Sequence, residues 1–205
     1  MVIRELKPSQ RVEGRWLAFL EDGTILRLGE SEVIDFALYA GKELSDEEAA
    51  ALQDSARRSA LKGKTIELLS RKPQSRRELE RKLVQWEASG EEAAALCDRM
   101  EELGYLNDAA YAVTVIRHYS AKGYGERKLR DELYRRGVPR PLWEDALKQA
   151  EAPDGAIDAF VAKKLAGKEP DRKELKKISD ALARRGYHWS DISAALRRYG
   201  VECDE

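Results

Sequence analysis

Apolar residues follow two different rhythms along this chain. Near the start they form short β-prone runs. Arg15-Trp16-Leu17-Ala18-Phe19-Leu20 and Thr24-Ile25-Leu26-Arg27-Leu28 flank Glu21-Asp22-Gly23, and two such runs around a three-residue loop containing Gly predict a β-hairpin. A lone hairpin is marginal in water, so this one must pack on something or add a strand. Helical spacing then appears at Val33, Ile34, Ala37 and Leu38 and is expected to stop at Gly41. Ser45-Asp46-Glu47-Glu48 has capping-box form and opens an alanine-rich helix toward Arg58.

From about residue 60 the helical rhythm repeats. Stacking the chain on Gly90, Gly137 and Gly186 places Leu96, Trp143 and Ile192 together, then Met100, Leu147 and Leu196, then Leu103, Ala150 and Tyr199, all on one helical face. Leu83, Leu133 and Leu182 precede the glycines, with three extra residues in the first copy. Earlier still, Ile66/Leu69, Ile116/Tyr119 and Ala162/Leu165 share a three-residue step. Pro73, Gly123/Gly125 and Gly167/Pro170 break the first helix from the second in each copy. Ser75-Arg76-Arg77-Glu78 and Asp171-Arg172-Lys173-Glu174 have capping-box form.

The predicted fold is therefore mainly α: three tandem three-helix repeats in an elongated array, after a small N-terminal β-hairpin and helix segment. The expected divisions are 1–44 for that segment, 45–59 for a linker helix, and 60–106, 107–152 and 153–205 for the repeats. Such units bury little alone and stack to close a core.

Charge refines this picture. Residues 1–55 hold 6 Lys/Arg against 12 Asp/Glu, whereas residues 56–150 hold 20 against 15. The second helices are basic in every copy. The cations expected to face a partner are Arg76, Arg77, Arg81 and Lys82 in the first, Arg127, Lys128, Arg130, Arg135 and Arg136 in the second, and Lys173, Lys176 and Lys177 in the third. Stacked in like orientation, they predict a discontinuous stripe suited to a polyanion or an acidic protein groove. Cations at a helix end also complement the macrodipole, which accounts equally well for Arg135-Arg136-Gly137 and Arg184-Arg185-Gly186. The third helix of the first copy is acidic, with Glu91, Glu92, Asp98, Glu101 and Glu102 against Arg99, so it is unsuited to enter a DNA groove.

Catalytic chemistry is not expected. Gly123-Tyr124-Gly125-Glu126-Arg127-Lys128 lacks the length and the Lys-Ser/Thr ending of a phosphate-binding loop. His118 and His188 stand singly, and Cys97 and Cys203 have no ligand spacing, so neither a metal nor another cofactor is called for. With no apolar run of about 18 residues and no leader pattern, neither membrane nor secretion is expected. The thiols are read as reduced in a cytoplasm.

Three stretches resemble the RecX family of bacterial recombinase regulators: Ser75-x-x-Glu78-Leu79-x-x-Lys82-Leu83; Leu103-Gly104-Tyr105-Leu106-Asn107-Asp108 leading into Tyr111-Ala112; and Gly123-x-Gly125-x-x-Lys128-Leu129-x-x-Glu132-Leu133-x-x-x-Gly137-Val138. The resemblance covers about residues 60–200. Asn107 stands where an acidic residue is commoner, and Tyr111 where Phe is. The resemblance implies a non-enzymatic regulator that binds the RecA recombinase and RecA-DNA filaments; a monomer with weak DNA binding of its own is a separate expectation. It implies restraint of ATP hydrolysis, strand exchange and co-protease activity. An independent DNA-binding protein that is not sequence-specific is the alternative expectation.

Overall fold

The computed structural model describes residues 1–149, 155–165 and 171–198. It is mainly helical, with a small sheet at the N-terminus. The chain divides into two compact bodies, 1–71 and 72–205.

The first body holds β1 (Ile3–Pro8), β2 (Arg15–Leu20), β3 (Ile25–Gly29), α1 (Glu30–Asp35) and α2 (Asp46–Arg71). The predicted hairpin is β2–β3, pairing Trp16 with Leu28 and Ala18 with Leu26. It gains the strand it needed from β1, antiparallel to β2, so the hairpin is part of a three-stranded sheet. Alternation puts Ala18, Leu20 and Leu28 on the inner face, where they are buried with Ile3, Leu38, Leu44, Ala49 and Leu52.

Two expectations need correction here. The helix after the hairpin ends at Asp35, not near Gly41: Ala37 adopts a φ of 45° and Leu38 N–H closes back on the Val33 carbonyl at 2.9 Å. Residues 41–43 run instead beside β1, Gly41 N–H donating to the Ile3 carbonyl at 2.7 Å and Ile3 N–H to the Lys42 carbonyl at 3.0 Å. A helix continued through this segment would forgo those bonds. The second correction concerns α2, which was expected to run toward Arg58 and is instead uninterrupted from Asp46 to Arg71. Its capping box forms as predicted, with Glu48 N–H donating to Ser45 Oγ at 3.1 Å and Ser45 N–H donating to Glu48 Oε2 at 2.9 Å.

The second body continues with α3 (Arg76–Gln85), α4 (Gly90–Glu102), α5 (Asp108–Ala121), α6 (Glu126–Arg135), a 3-10 turn (Arg140–Leu142) running into α7 (Trp143–Leu147), α8 (Ala156–Leu165), α9 (Arg172–Arg184) and α10 (Trp189–Arg197). α5, α6 and α7 close one core around Tyr111, Val115, Ile116, Leu129, Leu133 and Ala146. α8, α9 and α10 close another around Val161, Leu165, Leu175, Ile178, Leu182, Ile192 and Leu196.

The repeat register differs from the glycine register by three residues in the first copy. Gly137 and Gly186 end α6 and α9 in the left-handed region, at φ 70° and 86°, but the matching residue after α3 is Glu87, at φ 68°. The closing bonds agree: Ala88 N–H to Leu83, Val138 N–H to Leu133 and Tyr187 N–H to Leu182. This is the Schellman termination of a helix, found three times at one place. Gly90 is instead the first residue of α4, behind a Ser89–Glu92 capping box. Ala93, Trp143 and Ile192 are therefore the true equivalents, and the three extra residues vanish. Ala150 and Tyr199 lie outside the described residues.

Candidate interaction surface

The second helices do not merely lie in similar units; their ends touch. Gly125 N–H donates to the Arg185 carbonyl at 2.9 Å, and Arg127 N–H donates to the Gly186 carbonyl at 3.1 Å. The open N–H groups starting α6 thus meet the open carbonyls ending α9, opposite partial charges in contact. The same joint recurs one unit earlier. Ser75, which caps α3, donates its hydroxyl to the Arg136 carbonyl at the end of α6 while accepting the Glu78 N–H at 3.1 Å. Arg77 packs against Gly137 so closely that a Cβ there would fall 2.3 Å from the Arg77 Cδ.

Side chains reinforce both joints. At the first, the Tyr111 hydroxyl donates to Glu78 at 2.8 Å and accepts from Arg136 at 2.6 Å, and Arg136 lies 3.6 Å from Glu78. Burial and the bond to Glu78 push the Tyr111 hydroxyl up to about 12. Asn107 and Asp108 cap two different helices: Asn107 accepts the Ala110 N–H of its own α5 at 2.9 Å, and Asp108 accepts the Arg76 N–H of α3 at 2.8 Å. Burial raises the Asp108 carboxyl above its ordinary value. At the second joint, Arg185 donates to the Gly123 carbonyl at 3.1 Å and sits over the rings of Tyr124 and Phe160, while the Tyr187 hydroxyl donates to the same carbonyl at 3.0 Å.

The twelve expected cations separate into two groups on this scaffold. Arg76 pairs with Glu80, Asp98 and Glu101 at 2.7–3.0 Å, so part of the acidic charge on α4 is neutralised within its own unit. Arg130 likewise spans Glu126 and Glu144, both at 2.7 Å. Lys128 and Arg135 hold the buried Glu132, each at 3.0 Å, and Arg136 belongs to the joint. Burial opposes the charge on Glu132, but hydrogen bonds from Lys128 and Tyr119 and the nearby cations outweigh it and lower its pKa.

Lys82 stands over the Trp86 ring, 6.0 Å from its centre. Arg77, Arg81, Arg127, Lys173, Lys176 and Lys177 are exposed and make no ion pair among the described residues. Lys177 borders a cleft of about 390 Å³ with Lys164 and Arg184, floored by Ile178 and Ala181. In the corrected register Arg77, Arg127 and Lys176 occupy one position in the three copies, ten residues before the left-handed residue that ends the helix.

Cys97 is buried, its thiol pushed up to about 12 by desolvation, and is placed to pack rather than react. Cys203 lies outside the described residues. Trp143 is half-buried and donates its indole N–H to the Val138 carbonyl at 2.9 Å, as its core register requires. Leu103, Tyr105, Tyr134 and Trp189 remain substantially exposed. The sequence reading missed Arg185 and Tyr187 as joint residues; Arg-Gly repeats at 136–137 and 185–186, but Tyr187 stands where the second copy has Val138. No helix among the described residues is long and apolar enough to cross a membrane.

Comparison with known proteins agrees with this architecture. Residues 62–100, 107–147 and 156–196 match the family models for the first, second and third three-helix domains of RecX. A protein named Regulatory protein RecX from Pseudomonas putida is 36% identical over 67% of this chain and 89% of its own length. A protein of the same name from Streptococcus gordonii is 25% identical over the whole chain and 80% of its own length. Among solved structures, a regulatory protein RecX superposes with a TM-score of 0.72 at 21% identity, covering 96% of this chain and 98% of its own. RecX from Lactobacillus salivarius gives 0.61 at 21% identity, over 70% and 97% of the two chains.

Proposed function

We propose, from the premise that this chain belongs to the RecX family, that it is a non-catalytic cytoplasmic regulator that binds the RecA recombinase and its DNA filament. In this reading it lowers the filament's ATPase, strand-exchange and co-protease activities. The observation that carries the proposal is the recurrence of one unpaired cation, Arg77, Arg127 and Lys176, at the same place in three successive units. A repeated contact suits a partner that is itself periodic. Several weak contacts on one chain then gain from high effective concentration.

The test is the DNA-dependent ATPase of RecA. Substoichiometric protein lowers the rate if the reading holds, and an unchanged rate at equal stoichiometry overturns it. The same unpaired cations support a second reading, independent DNA binding. That reading requires tight binding to DNA without RecA and an affinity that falls steeply with salt. Weak binding to bare DNA beside strong binding to filaments decides for the regulator.

A further inference from the structure

The N-terminal segment is acidic in sum, yet four of the six Lys/Arg in residues 1–55 gather at one place. Lys7, Arg11, Arg15 and Arg27 line a cleft of about 600 Å³ between the outer face of the sheet and the loop from Ser9 to Val12. Strand register explains the gathering. Lys7 lies opposite Leu17 and Leu17 opposite Arg27, while alternation along β2 places Arg15 and Phe19 on the same side as Leu17. The outer face thus reads as a central aliphatic and aromatic group, Leu17, Phe19 and Ile25, flanked by these cations and, opposite Phe19, by Glu5. Ile25 is 50% exposed.

No carboxylate lines this cleft. Glu5 is drawn to Lys7 at 3.1 Å, and Glu13 lines the adjoining cleft with Arg15 and Arg27. Arg11, Arg15 and Arg27 have no ion pair among the described residues. Three unmatched cations beside exposed aliphatic side chains call for an occupant that is both anionic and apolar. A nucleic acid strand would want a free aromatic face for its bases. The only ring here, Phe19, carries the Lys7 ammonium 4.5 Å from its centre.

We propose that this face docks an acidic segment of a partner protein, an extended peptide with carboxylates interleaved among aliphatic side chains. On the side of such a peptide that faces the sheet, carboxylates and aliphatic side chains take turns at every second residue, so that the first meet the cations and the second meet Leu17 and Ile25. The proposal rests on body 1–71 alone and stands apart from the cations of the helical units.

The experiment uses the full chain and three labelled probes in fluorescence anisotropy. They are a peptide of about twelve residues in which Glu/Asp and Leu/Ile alternate at every second position with Ser between them, polyglutamate of that length, and oligo-dT of that length. The alternating peptide is expected to bind, with polyglutamate several-fold weaker. Arg15→Glu with Arg27→Glu is expected to weaken it by about tenfold or more while leaving the circular dichroism spectrum unchanged. Arg11→Glu, outside the strands, carries the same test if the double variant does not fold. Three results would each overturn the proposal: no binding of the alternating peptide, equal binding by a folded variant, or binding of oligo-dT alone that is lost with these substitutions. Polyglutamate binding as tightly as the alternating peptide would overturn the role given to Leu17 and Ile25.

Discussion

Gly125 and Gly186 touch backbone to backbone: a Cβ built on Gly125 would lie 2.4 Å from the Gly186 carbonyl oxygen, and one on Gly186 would lie 2.3 Å from the Lys128 nitrogen. Neither residue can carry a side chain unless the end of α9 and the start of α6 part. Gly125→Ala is expected to destabilise the second body by about 1–3 kcal/mol, the usual range for overpacking. Gly186→Ala is expected to do more, because its φ of 86° adds backbone strain. Urea unfolding gives the magnitude, and faster amide exchange in α9 than in α3 would locate it. A wild-type midpoint for Gly125→Ala would contradict the joint.

Tyr111→Phe removes a hydroxyl that bridges Glu78 and Arg136. The expected loss is about 1–2 kcal/mol by chemical denaturation. Arg136→Met in the same cycle should couple to it by about 0.5 kcal/mol or more, since both serve one network. Strict additivity would mean that the two contacts act separately.

The same hydroxyl gives an alkaline signature. Its folded value of about 12 lies above the ordinary 10.0, so between those values the folded chain keeps a proton that the unfolded chain has lost. Stability should fall as pH rises from about 10 to about 12. Tyr111→Phe should flatten that decline, and a decline of unchanged slope would refute the assignment.

Glu132 supplies the acidic counterpart. Its pKa is lowered below the ordinary 4.5, so its contribution is present above that value and lost as pH falls through the folded one. Glu132→Gln should lower the urea midpoint at pH 7 and reduce its dependence on pH below about 5. A variant that tracks the wild type into acid would show that Lys128 and Arg135 do not hold the carboxylate.

For the regulatory role, Arg127→Glu should raise the concentration needed for half-inhibition of RecA ATPase by about tenfold. Arg130→Gln should change it far less, because Arg130 is already held by Glu126 and Glu144. Equal effects of the two substitutions would count against sorting cations by their partners.

Sequence reading recovered what depends on local rules. The hairpin, the Ser45 and Ser75 caps and the apolar periodicity that announces the repeat all follow from residues a few positions apart. At Asp171 only the forward bond of the expected capping box forms, Glu174 N–H donating to the Asp171 carboxylate at 2.6 Å. The reading slipped by three residues in the first copy because it trusted glycine as the mark of a left-handed turn, and Glu87 holds that place. β1 was missed because Ile3 to Glu5 breaks the alternation with a bulge. Long-range pairing was hidden altogether. The sequence displays Arg76 and Arg127 as equivalent members of a stripe, whereas only folding reveals that Arg76 is taken by Asp98 and Glu101 while Arg127 is left open.

One consequence follows from the position of α6. Its start is fixed to α9 and its end to α3, so its ten residues act as a gauge block between two fittings. Inserting one residue would advance one fitting by about 1.5 Å and turn it by about 100° relative to the other. Its length is therefore constrained more tightly than the identity of any one exposed residue on it. Lineages that lengthen this protein are expected to place the added residues in the connections between helices, never in α6 itself.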